Sequence, residues 1–93
     1  MELHSTPVFD KDVKKLDKSA CKLVQQLIEK IRQQPQSGKP LRHYANAFSQ
    51  RTGHKRLIYL VKLQEGKILL ALYKNRDDVY DALKGLNLSM FKF

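Results

Sequence analysis

Cysteine occurs once in this 93-residue chain, at position 21, so no internal disulfide can form. A reducing compartment, the cytoplasm, is the expected setting. Cys21 lies within a helical apolar pattern and reads as a small buried hydrophobe. No apolar run approaches the roughly 20 residues that cross a bilayer, so no membrane association is expected. Glu2 stands at the N-terminus with no apolar stretch behind it, so no signal peptide is expected either. Clusters of His, Asp and Glu at metal-ligand spacing are missing, which leaves neither a metal site nor a cofactor motif to propose. Repeats and low-complexity segments are also missing, and the length suits one domain over residues 1–93.

Acidic residues are scarce where bases are dense. There are 9 acids against 18 Lys and Arg, a net charge of +9. Residues 1–40 carry eight bases and five acids, and residues 41–93 carry ten bases and four acids. Between Glu29 and Glu65 there is no acid, while Lys30, Arg32, Lys39, Arg42, Arg51, Lys55, Arg56 and Lys62 all fall in that interval. Such a stretch makes a strongly positive potential wherever it folds, and its natural partners are polyanions or an acidic protein.

The apolar pattern sets the elements. Residues 6–9, with Pro7 and Phe9, read as a short extended stretch, and Asp10 as the cap of a helix beginning near Lys11. From there to Gln34, Val13, Leu16, Ala20, Leu23, Val24, Leu27, Ile28 and Ile31 recur at helical spacing. Asp17 and Ser19 are capping residues in mid-run, so the reading is two helices in a hairpin, ended by Pro35. Residues 35–40 form a polar connection. After it the period changes. Residues 44–51 are a weak strand candidate with no charge before Arg51, residues 57–63 a strong one, and residues 67–73 a near-continuous apolar run suited to an interior strand. Gly66 supplies the turn between the last two. A short helix from Asp77 to Lys84 follows, stopped by Gly85, and residues 86–93 alternate as an added strand or a packed tail. The fold expected is α+β. Two N-terminal helices cover one face of a small, mostly antiparallel sheet, a short C-terminal helix follows, and the other face is left to solvent or a ligand.

Four segments then resemble one family, the RelE/ParE toxins of type II toxin–antitoxin systems. They are residues 9–16 (FDKDVKKL), residues 35–41 ending GKPL, residues 51–59 (RTGHKRLIY) and residues 75–80 (NRDDVY). The third is similar to a family signature of Arg, any residue, Gly, two variable residues, Arg, two aliphatics and Tyr. The resemblance spans roughly residues 8–84 with all segments in order. It implies the α+β sheet above, a cognate antitoxin that is acidic and helical, and, in many members, cleavage of messenger RNA on the ribosome. Other members inhibit DNA gyrase. A basic module that binds nucleic acid without catalysis is the non-enzymatic alternative.

Metal-independent RNA cleavage needs a group to take the 2′ proton, positive charge on the phosphate, and a proton for the leaving 5′ oxygen. Guanidinium is suited to the second role because it grips two phosphate oxygens at once. Arg56, opening the strongest strand, and Arg76, just past the last strand, are the first candidates, and the resemblance carries both onto functional positions. Tyr80, four residues beyond Arg76, would work on the reacting hydroxyl or stack on a base. His54, in the turn, is a candidate general acid or base. Arg51, Lys55, Lys74, Arg42 and His43 are candidate RNA contacts.

Overall fold

The computed structural model describes residues 1–86. Strand β1 (Glu2–Ser5) leads into helix α1 (Pro7–Lys14) and helix α2 (Lys18–Gln33). Strands β2 (Lys39–Pro40), β3 (Ala47–Thr52), β4 (Lys55–Lys62) and β5 (Lys67–Asn75) follow, and α3 (Arg76–Gly85) closes the described chain. The sheet order is β1-β5-β4-β3-β2. β1 runs parallel to β5, and every other neighbour is antiparallel.

The first helix begins four residues earlier than the sequence pattern suggested. Thr6, not Asp10, is its cap, and Pro7 and Phe9 are helical. Thr6 Oγ1 accepts from Phe9 N–H at 3.0 Å and donates to the Ala71 carbonyl at 2.6 Å, while Thr6 N–H donates to the Leu70 carbonyl at 3.1 Å. A buried hydroxyl satisfied on both sides outweighs the extended preference of the residues around it, and proline at the first helical position costs no hydrogen bond. The extended stretch lies just before, at β1. The break between the two helices is as expected: Asp17 caps α2 by accepting from Ala20 N–H at 2.8 Å. Cys21 is only partly buried, against the carbonyls of Val13 and Leu16 in that bend.

The two helices bury one stripe against one sheet face. Phe9, Val24, Leu27 and Ile31 meet Leu57, Tyr59, Val61, Ile68, Leu70 and Tyr73 there. The other face is not left open, as the pattern of elements had suggested. Val79 and Leu83 of α3 pack on Ile58, Ala71 and Leu72. A β-bulge makes this possible. Ile58 pairs with Leu72 and Tyr59 with Leu70, so Ala71 is an extra residue in β5. The bulge turns Ala71 and Leu72 toward α3, then returns Tyr73 to the side of α1 and α2. α3 therefore covers part of the second face, and the basic end of the β3–β4 hairpin is left beside it.

The connection after α2 ends in a strand rather than a loop. Lys39 pairs with Ser49 and Pro40 with Phe48, at the sheet edge where proline's missing N–H costs nothing. From beneath, Tyr59 Oη accepts from Gly38 N–H at 3.1 Å. A Cβ on Gly38 would come within 2.5 Å of that hydroxyl and 3.0 Å of the Ser49 carbonyl, so only glycine fits this approach.

Candidate nucleic-acid interface

The β3–β4 hairpin turns at Gly53 and His54, with Gly53 at φ 57. This tight turn sets Arg51 directly opposite Arg56. Side chains alternate along a strand, and cross-strand partners share a face. Leu57 and Tyr59 face α1 and α2, so Arg56 faces the side of α3, as do Ile58, Arg51 and Ser49. The hairpin is tied to α3 at its tip, where Arg76 N–H donates to the His54 carbonyl at 3.0 Å. That bond brings the third arginine to the first two.

Arg51, His54, Arg56, Asn75 and Arg76 line one open cavity of about 650 Å³, together with Gly53 and Asp77. Arg56 Nη1 donates to Ser49 Oγ at 3.4 Å, a long bond, and Arg56 Nε is buried with no hydrogen-bond partner among the described residues. Asp77 is the one carboxylate of the lining, yet no ion pair within 4 Å joins it or any other described acid to these arginines. Two like charges directly opposite on a sheet destabilise it. An arrangement that sets Arg51 against Arg56 and adds Arg76 is one that an oxyanion would relieve.

A second groove of about 470 Å³ has Ser49, the acceptor of Arg56, as one wall. Lys39, Pro40, Leu41, Arg42 and Tyr80 form its other walls. Tyr80 is 44% exposed and stands one helical turn beyond Arg76 on the same face of α3.

The candidate residues therefore divide. Arg51, His54, Arg56 and Arg76 are brought together, and Arg42 and Tyr80 lie in the adjoining groove. Lys55 and Lys74 do not join them. Lys55 faces the other way, its Nζ 5.3 Å from the centre of the Tyr73 ring. Lys74 is the register partner of Arg56 on β5, but its ammonium reaches round the strand edge, which β1 leaves unpaired beyond Leu70, to the Asp12 carboxylate of α1 at 3.1 Å. Both line a cleft between α1 and α3 that meets the arginine cavity only at Asn75. His43 is exposed in the loop before β3 and lines neither site cavity. Ser49, Lys39 and Asn75 were missed. The period-two relation of Ser49 to Arg51 was the available signal for the first, but Lys39 sits in a segment that reads as a loop. The tail at residues 87–93 lies outside the described residues. Among the described residues no group of three or more His, Cys, Asp or Glu is placed to hold a metal ion, and no helix is long and apolar enough to cross a membrane.

Neither a protein-family model nor a curated protein sequence matches this chain. Solved structures do. The isolated E. coli RelE toxin superposes with a TM-score of 0.71 at 19% identity, over 90% of this chain and 96% of that one. A chain of the intact E. coli RelBE toxin–antitoxin complex gives 0.72 at 16% identity, over 80% and 94%. A chain of the toxin–antitoxin complex RelBE2 from Mycobacterium tuberculosis gives 0.68 at 26% identity, over 81% and 96%. Over most of its length this chain therefore has the α+β fold of the RelE toxins.

Proposed function

We propose that this protein is the toxin of a type II toxin–antitoxin pair and that it cuts messenger RNA on the ribosome, in the cytoplasm, without a metal ion. The observation that carries the reading is the convergence of Arg56 and Arg76 on one cavity, beside Arg51, with no carboxylate paired to any of them among the described residues. In this reading the RNA 2′-hydroxyl attacks the adjacent phosphorus, a 2′,3′-cyclic phosphate forms, and the 5′-hydroxyl leaves. Arg56 and Arg76 hold the non-bridging oxygens as charge grows on them. His54, at the mouth of the same cavity, exchanges protons with the reacting oxygens, and Tyr80 stacks on a neighbouring base or meets the attacking hydroxyl. Arg51 and Arg42 carry flanking backbone. In the similar complexes RelB is the antitoxin to RelE, which supports a cognate antitoxin here, and a net charge of +9 suits an acidic one.

The test is a cell-free translation reaction with purified protein, read by primer extension on the message. The reading predicts discrete cuts within translated sequence that vanish with Arg56→Gln. Intact message with the native protein would refute it. DNA damage on induced expression, with message intact, would instead support the gyrase alternative.

A further inference from the structure

The groove beside the arginine cavity is built as carefully as the cavity, and Lys39 is its unexplained charge. We propose that Lys39, with Arg42, forms a second phosphate subsite that takes the backbone of single-stranded RNA one to two nucleotides from the phosphate held by Arg56. The proposal rests on the reading of the arginine cavity given above.

The register supports it. Lys39 pairs with Ser49, and Ser49 accepts from Arg56, so all three share the face that looks toward α3. Strand spacings of about 4.8 Å and residue rises of about 3.4 Å put the Lys39 and Arg56 Cα atoms roughly 12 Å apart. A backbone crossing that span passes Tyr80, whose half-exposed ring offers a stacking surface between two cationic sites. The segment carrying Lys39 is anchored on both sides of it. Gly38 N–H is held by Tyr59 Oη, Ser37 Oγ accepts from Gln50 Nε2 at 2.8 Å, and Leu41 N–H donates to the Ala47 carbonyl at 2.9 Å. Lys39 itself is exposed and enters no ion pair with a described acid. Ser49 walls the groove and accepts from Arg56 of the cavity, so the two sites are neighbours, and RNA brings both a phosphate at every nucleotide and a base for the Tyr80 ring, which an acidic peptide lacks.

The probe is a series of 2′-fluoro oligoribonucleotides, two to six nucleotides long, which lack the attacking hydroxyl. Binding to the full chain is followed by fluorescence polarisation at rising KCl. Lys39→Gln should leave the dinucleotide unaffected, weaken the hexanucleotide, and reduce the slope of log affinity against log salt for the hexanucleotide by about 0.7, the value of one phosphate contact to a single strand. Lys39→Arg should restore that slope. Arg56→Gln should weaken every length. Unchanged hexanucleotide binding in Lys39→Gln, or equal weakening at all lengths, with Arg56→Gln still weak throughout, would overturn the subsite and leave the arginine cavity standing. Full affinity in Arg56→Gln would overturn both. Displacement of the hexanucleotide by a hexaglutamate peptide as readily as by unlabelled RNA, with the same dependence on Lys39, would overturn RNA as the occupant.

Discussion

At the scale of single residues, the site is a set of charges held against their own repulsion. Arg51 and Arg56 are cross-strand partners, and Arg56 has only the long bond to Ser49 to offset a buried, unpartnered Nε. Removing one of two like charges in such a pair should return about 0.2–1 kcal/mol to the fold. Arg56→Met keeps much of the apolar stem, so urea denaturation should find it as stable as the native protein or more so, while cleavage is lost. A loss of several kcal/mol would mean that Arg56 serves the structure. Lys74 gives the opposite expectation. Its ammonium is engaged with Asp12 outside the arginine cavity, so Lys74→Ala should keep message cleavage within a few-fold of native, while Asp12→Ala and Lys74→Ala lower the unfolding midpoint by similar amounts. A Lys74→Ala variant as dead as Arg56→Gln would contradict this assignment.

At the scale of elements, two anchors hold the parts in place. Thr6 joins β1, α1 and the bulged part of β5 through its three hydrogen bonds. Thr6→Ala should cost about 1–2 kcal/mol of unfolding free energy, measured by urea denaturation, and Thr6→Ser should recover most of it. Tyr59 is the second anchor. Burial pushes its phenol above the usual 10.0, with the hydrogen bonds from Gln50, Gly38 and Ser37 working the other way. The folded state thus holds this proton more tightly than the unfolded chain does. Its contribution is complete below pH about 10 and is lost as pH rises beyond it. Tyr59→Phe should flatten that alkaline loss, and at neutral pH should cost about 1–3 kcal/mol because Gly38 N–H is left without its acceptor. An unchanged alkaline slope would show that another group sets it.

These anchors also mark what was legible in the sequence. Helix α2 could be read because its apolar residues keep one period along the whole element, and β4 because a short β-branched and aromatic apolar run sits between turn signals. The arginines Arg51 and Arg56 could be paired because a two-residue turn leaves one register. Strand β2 and the start of α1 could not be read, because each depends on a partner distant in sequence: Tyr59 for Gly38, Ala71 for Thr6. The bulge at Ala71 is hidden for a related reason. An unbroken apolar run from Ile68 to Tyr73 carries no alternation to show where a strand changes face, so nothing signalled that α3 would find an apolar seat on the second side. Lys55 leaves the arginines because it is one residue from Arg56 and points to the other face, and Lys74 because Asp12, distant in sequence, draws its ammonium round the edge of β5.

At the scale of the whole molecule, the net charge of +9 is divided by the sheet. α1 and α2 pack on one side, and on the other α3 leaves uncovered the strip that runs from Lys39 to Arg76. A polyanion that lies along this strip meets fixed cations in a row, and affinity should fall steeply with salt. The central claim is that Arg56 and Arg76 act on one phosphate. A double-mutant cycle on the cleavage rate in translating ribosomes, with Arg56→Gln, Arg76→Gln and both together, tests it most directly. The account predicts that each single change slows cleavage about 10²–10³-fold, and that the pair together loses less than the product of the two, because either loss already leaves the phosphate half held. Cleavage at the native rate with both arginines replaced would contradict it.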